Sequence, residues 1–167
     1  MTVNNTFPMS HNRSMISSKI RAAFIAPCLG TGGADMLMAR LVQHSQNVEW
    51  VGLALRDPLT REMAINASRM WPSNVPIYNH NKDWQYDFVN HTPISFADSI
   101  IHACKNADIV VTWCIKDLAA NFDTIDLPVI EYAQNSDKYA REVVVSNKLI
   151  TTHRAACSYA AAKVFDS

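Results

Sequence analysis

The stretch Phe24-Ile-Ala-Pro-Cys-Leu-Gly-Thr-Gly-Gly-Ala-Asp35, running on into Met36-Leu-Met-Ala-Arg-Leu-Val-Gln43, decides the fold. An apolar run, a glycine-rich turn and an amphipathic run, in that order, read as a buried strand feeding a helix. The helix's first turn carries N–H groups with no intrahelical acceptor, so it is open to an anionic ligand.

Working outward, Lys19-Ile-Arg-Ala-Ala-Phe-Ile-Ala26 is polar where it enters and apolar where it ends, as expected of a strand covered on both faces, and Pro27 closes it. Gly30, Gly32 and Gly33 let the backbone turn sharply and approach a bound group, because no Cβ opposes positive φ or close contact. A helix is expected over Ala34 to Ser45, with Leu37 and Leu41 on its inner face beside Met38 and Val42. Residues 47–55 form a second strand; Asp57 should cap the next helix with Pro58 in its first position. That helix carries Met63, Ile65 or Ala67, Met70 and Trp71 before Pro72 ends it.

Val75 to Tyr78 is a short third strand, followed over 79–87 by a polar and aromatic loop suited to function or crossing. Ser95 to Lys105 is a helix with Phe96, Ile100, Ile101 and Cys104 at helical spacing and Ser95 and Asp98 in capping-box spacing. A fourth strand over Ala107 to Cys114, a short helix over Asp117 to Phe122, a fifth strand over Leu127 to Ala133 and a polar turn from Gln134 to Lys138 follow. Lys148 to Thr152 is the expected sixth strand and Arg154 to Phe165 an alanine-rich helix. Strands alternating with helices at this spacing predict an α/β fold: a doubly wound, mainly parallel, Rossmann-like sheet with helices on both faces. Its ligand crevice should lie at the strands' C-terminal ends.

At 167 residues the chain suits one domain, beginning near Lys19 after a loose polar leader over residues 1–18. Fifteen basic against fifteen acidic residues leave no nucleic-acid footprint. The four cysteines, Cys28, Cys104, Cys114 and Cys157, form no Cys-x-x-Cys pair and read as free thiols in a reducing compartment; the six histidines show no metal-ligand spacing. No apolar stretch approaches eighteen residues, so a soluble, cytoplasmic protein is expected, with no metal and no cofactor.

The glycine turn departs from the dinucleotide fingerprint: Asp35 stands where the third glycine would fall, and the second strand ends in Leu53-Ala-Leu-Arg56 with no acidic residue for a ribose. A Walker loop is also missing its Gly-Lys-Ser/Thr. Instead Ile25-Ala-Pro and Gly32-Gly-Ala-Asp35, followed by a leucine-bearing helix, resemble the Gly-Gly-Ala-Glu segment that opens family 4 retaining glycosyltransferases of the GT-B fold. Three further stretches resemble that family in order: Asn106-Ala-Asp-Ile-Val-Val-Thr-Trp113, Pro128-Val-Ile-Glu-Tyr-Ala-Gln134, and Ile150-Thr-Thr-His-Arg-Ala-Ala-Cys-Ser-Tyr-Ala-Ala-Ala-Lys-Val-Phe165.

The resemblance implies the N-terminal, acceptor-side domain of an enzyme that moves sugar from a nucleotide-diphosphate sugar to a carbohydrate or glycan-lipid acceptor. The C-terminal donor domain lies outside this chain, which alone should have little activity; the whole protein has room for a peripheral membrane contact. The backbone of Gly32, Gly33 and Ala34 would then face donor phosphate or acceptor. Asp35 replaces the family's Glu and either joins that site or only favours the helix. Gln134 falls where relatives carry a catalytic-cleft His: either an amide orients the sugar, or the register is off by a residue or two. Asn135, Ser136 and Lys138 would line the same rim or simply make a turn, and Thr112 and Trp113 would face the acceptor, unless Trp113 is core. A non-catalytic Rossmann-like module binding a ligand or protein is the alternative, and a nicotinamide-dependent oxidoreductase a weaker third.

Overall fold

The computed structural model describes residues 19–30, 32–58, 60–79, 91–116, 118–122, 126–134 and 137–166. The expected leader and nearly all of the 79–87 loop lie outside them, as do Asn135 and Ser136. The strands are β1 (Ile20–Ala26), β2 (Val48–Leu55), β3 (Ile77–Asn79), β4 (His91–Pro93), β5 (Ile109–Thr112), β6 (Val129–Ala133) and β7 (His153–Ala156). They form one seven-stranded sheet in the order β4-β3-β2-β1-β5-β6-β7, and every pairing is parallel. This is the doubly wound, Rossmann-like α/β fold expected from the alternation. The order reverses between β1 and β5, which opens a crevice at their C-terminal ends.

The helices are α1 (Gly33–His44), α2 (Arg61–Met70), α3 (Phe96–Cys104), α4 (Lys138–Ser146) and a single turn α5 (Tyr159–Ala162), with 3₁₀ turns at Leu118–Asn121 and Lys163–Asp166. One face of the sheet packs Phe24, Leu53, Leu55 and Val111 against Met38, Ala39 and Val42 of α1 and Ala64 and Ala67 of α2. The other packs Ala23, Ile25, Ala54 and Val110 against Ile100, Ala103 and Cys104 of α3 and Leu118. Alternate residues of β1 thus enter opposite layers, which is why its second half is wholly apolar.

Gly52 is where the second layer comes closest. A Cβ there would lie 2.8 Å from Ala103 Cα and 3.0 Å from its carbonyl oxygen, so α3 sits directly on the backbone of β2.

Several boundaries differ from the sequence reading for identifiable reasons. Leu37 and Leu41 are largely exposed, whereas Met38, Ala39 and Val42 point inward. Asp57 is not a cap: its N–H donates to the Pro27 carbonyl at 2.7 Å, extending the β1–β2 edge, and its carboxylate pairs with Arg56 at 2.9 Å. Thr60 caps α2 instead, its Oγ1 accepting from the Met63 N–H at 3.2 Å. Ser95 does cap α3, accepting from the Asp98 N–H at 3.1 Å.

Near the C-terminus, Asp137 caps α4 by accepting from the Ala140 N–H at 2.8 Å, an element the sequence reading left out. The expected sixth strand at Lys148 to Thr152 is instead the turn leaving α4 and the approach to β7, which itself takes His153 to Ala156 from the expected alanine-rich helix. The polar β4 was not anticipated either.

Candidate functional site

At the C-terminal edge of the sheet, a crevice of about 150 Å³ opens between the start of α1, the ends of β5 and β6, and α4. Ala34, Trp113 and Gln134, three residues singled out in the sequence, line it together with Cys114, Glu131 and Val143. A closed cavity near this volume holds a benzene-sized ring, so this open crevice admits a six-membered ring whose substituents project outward.

The α1 wall follows from the glycine turn. Met36 N–H makes the first bond of the helix ladder, to the Gly32 carbonyl at 3.1 Å, so Gly33, Ala34 and Asp35 present N–H groups that the helix does not use. No glycine among the described residues adopts positive φ; Gly32 is extended, with φ −68°. What the glycines give here is room rather than left-handed backbone. A Cβ on Gly30 or Gly32 would press on Asp35 Oδ2 at 3.2 and 3.1 Å, whereas one on Gly33 would meet nothing within 4 Å and would project into open space beside Ala34.

Asp35 is buried, 7 % exposed, and its Oδ2 accepts from the Gly32 N–H at 3.1 Å. It does hold the helix start, one of its two expected roles. Its Oδ1, however, is buried without a hydrogen-bond partner. A carboxylate on the helix N-terminus already supplies the negative charge that end favours, and its idle oxygen calls for a donor.

The β5 and β6 wall carries the strongest local signals. Trp113 lies one residue past β5, its N–H donating to the Ile25 carbonyl at 3.1 Å; it is half-buried, packing against the α1 layer while lining the crevice. Thr112, expected to face the acceptor, does not line the crevice: it is fully buried, with Oγ1 unpartnered. Cys114 follows with φ 57°, a left-handed conformation that costs a non-glycine residue about 1 kcal/mol or more. Such strain is concentrated at this bend. Gln134 lies one residue past β6, half-buried, and its carbonyl accepts from the Cys157 thiol at 3.2 Å.

Glu131 is the functional candidate the sequence reading missed. It is 2 % exposed in β6 and lines the crevice. Burial pushes its carboxyl up to about 7, against the opposing pull of the Asn147 hydrogen bond and of Arg154. A carboxyl that exchanges a proton near neutrality is suited to acid–base work. The available signal was a lone charge inside the apolar run Val129-Ile-Glu-Tyr-Ala133.

Lys138 lies elsewhere. It begins α4 on an outer groove of about 520 Å³, with Lys116, Arg141, Glu142, Val145 and Ser146. That groove is larger but is walled by exposed side chains, including a Lys116–Glu142 pair at 3.2 Å whose members are both about 40 % exposed; the crevice, lined by the buried Glu131 and with the buried Asp35 next in sequence to Ala34 of its wall, is the better site.

The thiols argue against nucleophilic cysteine chemistry. Burial raises Cys28, Cys114 and, to about 12, Cys104, and acidic neighbours add to the first two. Thiolates are the reactive form, so an Ellman titration should show Cys157, which is exposed, reacting at least about tenfold faster than Cys28 and Cys114. Cys104 should appear only in denaturant; a second thiol as fast as Cys157 would contradict this assignment. Among the described residues no three His, Cys, Asp or Glu side chains cluster as metal ligands would, and no helix is long and apolar enough to cross a membrane. Compared with protein-family models and with curated proteins, the chain matches none.

Proposed function

We propose that this chain is the acceptor-side domain of a glycosyltransferase of the retaining, family 4 type, seating one sugar ring of a carbohydrate or glycan-lipid acceptor in the crevice. The observation that carries the reading is the ring-sized crevice at the β1/β5 switch point, where Ala34, Trp113, Glu131 and Gln134 converge. Trp113 offers a ring face for stacking, and Gln134 an amide that both donates and accepts.

Of the two roles expected for the glycine turn, the acceptor role fits its chemistry better. A diphosphate drawn to the α1 N-terminus would meet the buried Asp35 carboxylate, whereas a sugar hydroxyl would donate to it. The donor sugar-nucleotide would then be held by a second domain supplied by the intact protein, in which acceptor oxygen, anomeric carbon and departing diphosphate meet. In isolation this domain would bind acceptor and transfer little. A reducing, cytoplasmic setting belongs to the same proposal, consistent with four free thiols.

Gly33→Val tests the turn beside the crevice wall at Ala34; the new Cβ itself meets no protein atom. Saturation-transfer NMR with D-glucose, D-galactose, D-mannose and N-acetyl-D-glucosamine should detect binding of at least one sugar to the parent, weakened by about tenfold or more in the variant. Equal binding by the variant would remove the glycine turn from the site.

A further inference from the structure

Glu131, which lines the crevice, belongs to a cross-strand row. Parallel register sets Ile25, Thr112, Glu131 and Arg154 side by side across β1, β5, β6 and β7, on one face of the sheet. Thr112 and Glu131 are its buried polar members.

Glu131 is held in a directed way. Its Oε2 accepts from Asn147 Nδ2 at 3.2 Å, and Asn147 cannot flip: its Oδ1 accepts from the Leu118 N–H at 3.0 Å, while Nδ2 also donates to the Ile115 carbonyl at 2.6 Å. Asn147 is itself fully buried, so Glu131 always meets an N–H donor there and one carboxyl oxygen is fixed.

The surroundings compensate its charge only in part, through Asn147 and the pull of Arg154, and burial outweighs both. Arg154, next in the row on β7, is exposed and sits 5.4 Å from the centre of the Phe165 ring. On the β5 side the facing titratable group is the Cys114 thiol, which burial and acidic neighbours hold neutral. On α4 the crevice residues are Ala140, Val143 and Val144, none of them charged.

We propose that Glu131, positioned by Asn147, binds a hydroxyl of the ring seated in the crevice through its ionised carboxylate, so that binding releases a proton and tightens as pH rises. The proposal rests on the carbohydrate reading of the crevice. Its physical basis is linkage: a hydroxyl donated to the charged form favours that form, and a charge-assisted hydrogen bond is about twice as strong as a neutral one. The carboxyl's rise to about 7 places the transition within a range that solution experiments reach.

Calorimetric titration of the same four monosaccharides into the chain tests it. Between pH 5.5 and 8.5 the affinity of the sugar that binds should rise by about tenfold. At pH 7, heats measured in phosphate and in Tris should differ by the difference between the two buffers' ionisation heats multiplied by the roughly half proton released per site. Glu131→Gln, with folding checked by near-ultraviolet circular dichroism, should bind more weakly at pH 8.5 and lose the pH dependence. A parent that binds a sugar equally at both pH values without releasing a proton overturns the role of Glu131 and leaves the carbohydrate reading standing. If none of the four sugars binds the parent at either pH, both fall together. The parent's own pH series is decisive even if the variant does not fold.

Discussion

Glu131→Gln is expected to stabilise the protein at pH 8 by about 3 kcal/mol while leaving it nearly unchanged at pH 4.5. In the fold this carboxyl sits near 7 rather than its usual 4.5, chiefly because burial penalises its charge. At about 1.4 kcal/mol per unit, that difference is worth about 3 kcal/mol. A raised acid favours the folded state only while it keeps its proton. The contribution is complete below pH 4.5 and drains away as pH climbs through 7, because over that range the folded chain binds more protons than the unfolded one. Gln keeps an oxygen for the Asn147 N–H but never ionises. Urea unfolding of parent and variant across pH 4.5 to 8 should therefore show a gap that widens with pH; a constant gap would mean that Glu131 is ionised throughout, or titrates as it does in an unfolded chain.

The second large effect is at Gly52→Ala. The new methyl would stand 2.8 Å from Ala103 Cα and 3.0 Å from its carbonyl oxygen, distances that only a shift of α3 can relieve. Overpacking of this kind costs about 3 kcal/mol, of which roughly 0.5 is recovered because Ala suits a strand better than Gly. A domain of this size should then lose about 5 to 10 °C in Tm. Adding Ala103→Gly should not rescue it, since the conflict is with backbone atoms that glycine also has. A rescue would show that the close approach is between side chains, and a wild-type Tm for Gly52→Ala would show that α3 has slack.

How far the sequence was legible depended on which force decided each element. The strand, glycine turn and helix at residues 20–44 could be read because apolar periodicity and backbone freedom coincide there. The orientation of that helix could not. Leu37 and Leu41 share one stripe and Met38 and Val42 the next, and the sheet selects between them by fit, taking the stripe that buries Ala39 in the same layer. The helix at Lys138–Ser146 was hidden because Val143-Val-Val145 favours a strand locally; Asp137's cap and burial of Val143 and Val144 override that preference. The edge strand at His91–Pro93 has neither length nor apolar alternation, so only its register with Ile77–Asn79 reveals it.

The site was legible at its ends and not at its centre. Ala34, Trp113 and Gln134 each follow a strand or open a helix, positions where chain topology places ligands whatever the residue. Glu131 lies inside a strand, where the same topology predicts core. Its importance comes from Asn147, sixteen residues on, and from burial that outweighs the pull of Arg154 in its row. Neither is a local property of the chain.

The reversal of strand order at β1 and β5 also has a thermodynamic side. Ala34 and Glu131 stand across one small space only because β1 has paired with β5 and β5 with β6. No continuous segment of the chain carries the crevice, so a partly folded chain in which either pairing is open has no ligand site. Whatever occupies it binds the finished fold alone. Its full binding free energy then counts toward resistance to unfolding, rising by about 1.4 kcal/mol for each tenfold excess of ligand over Kd.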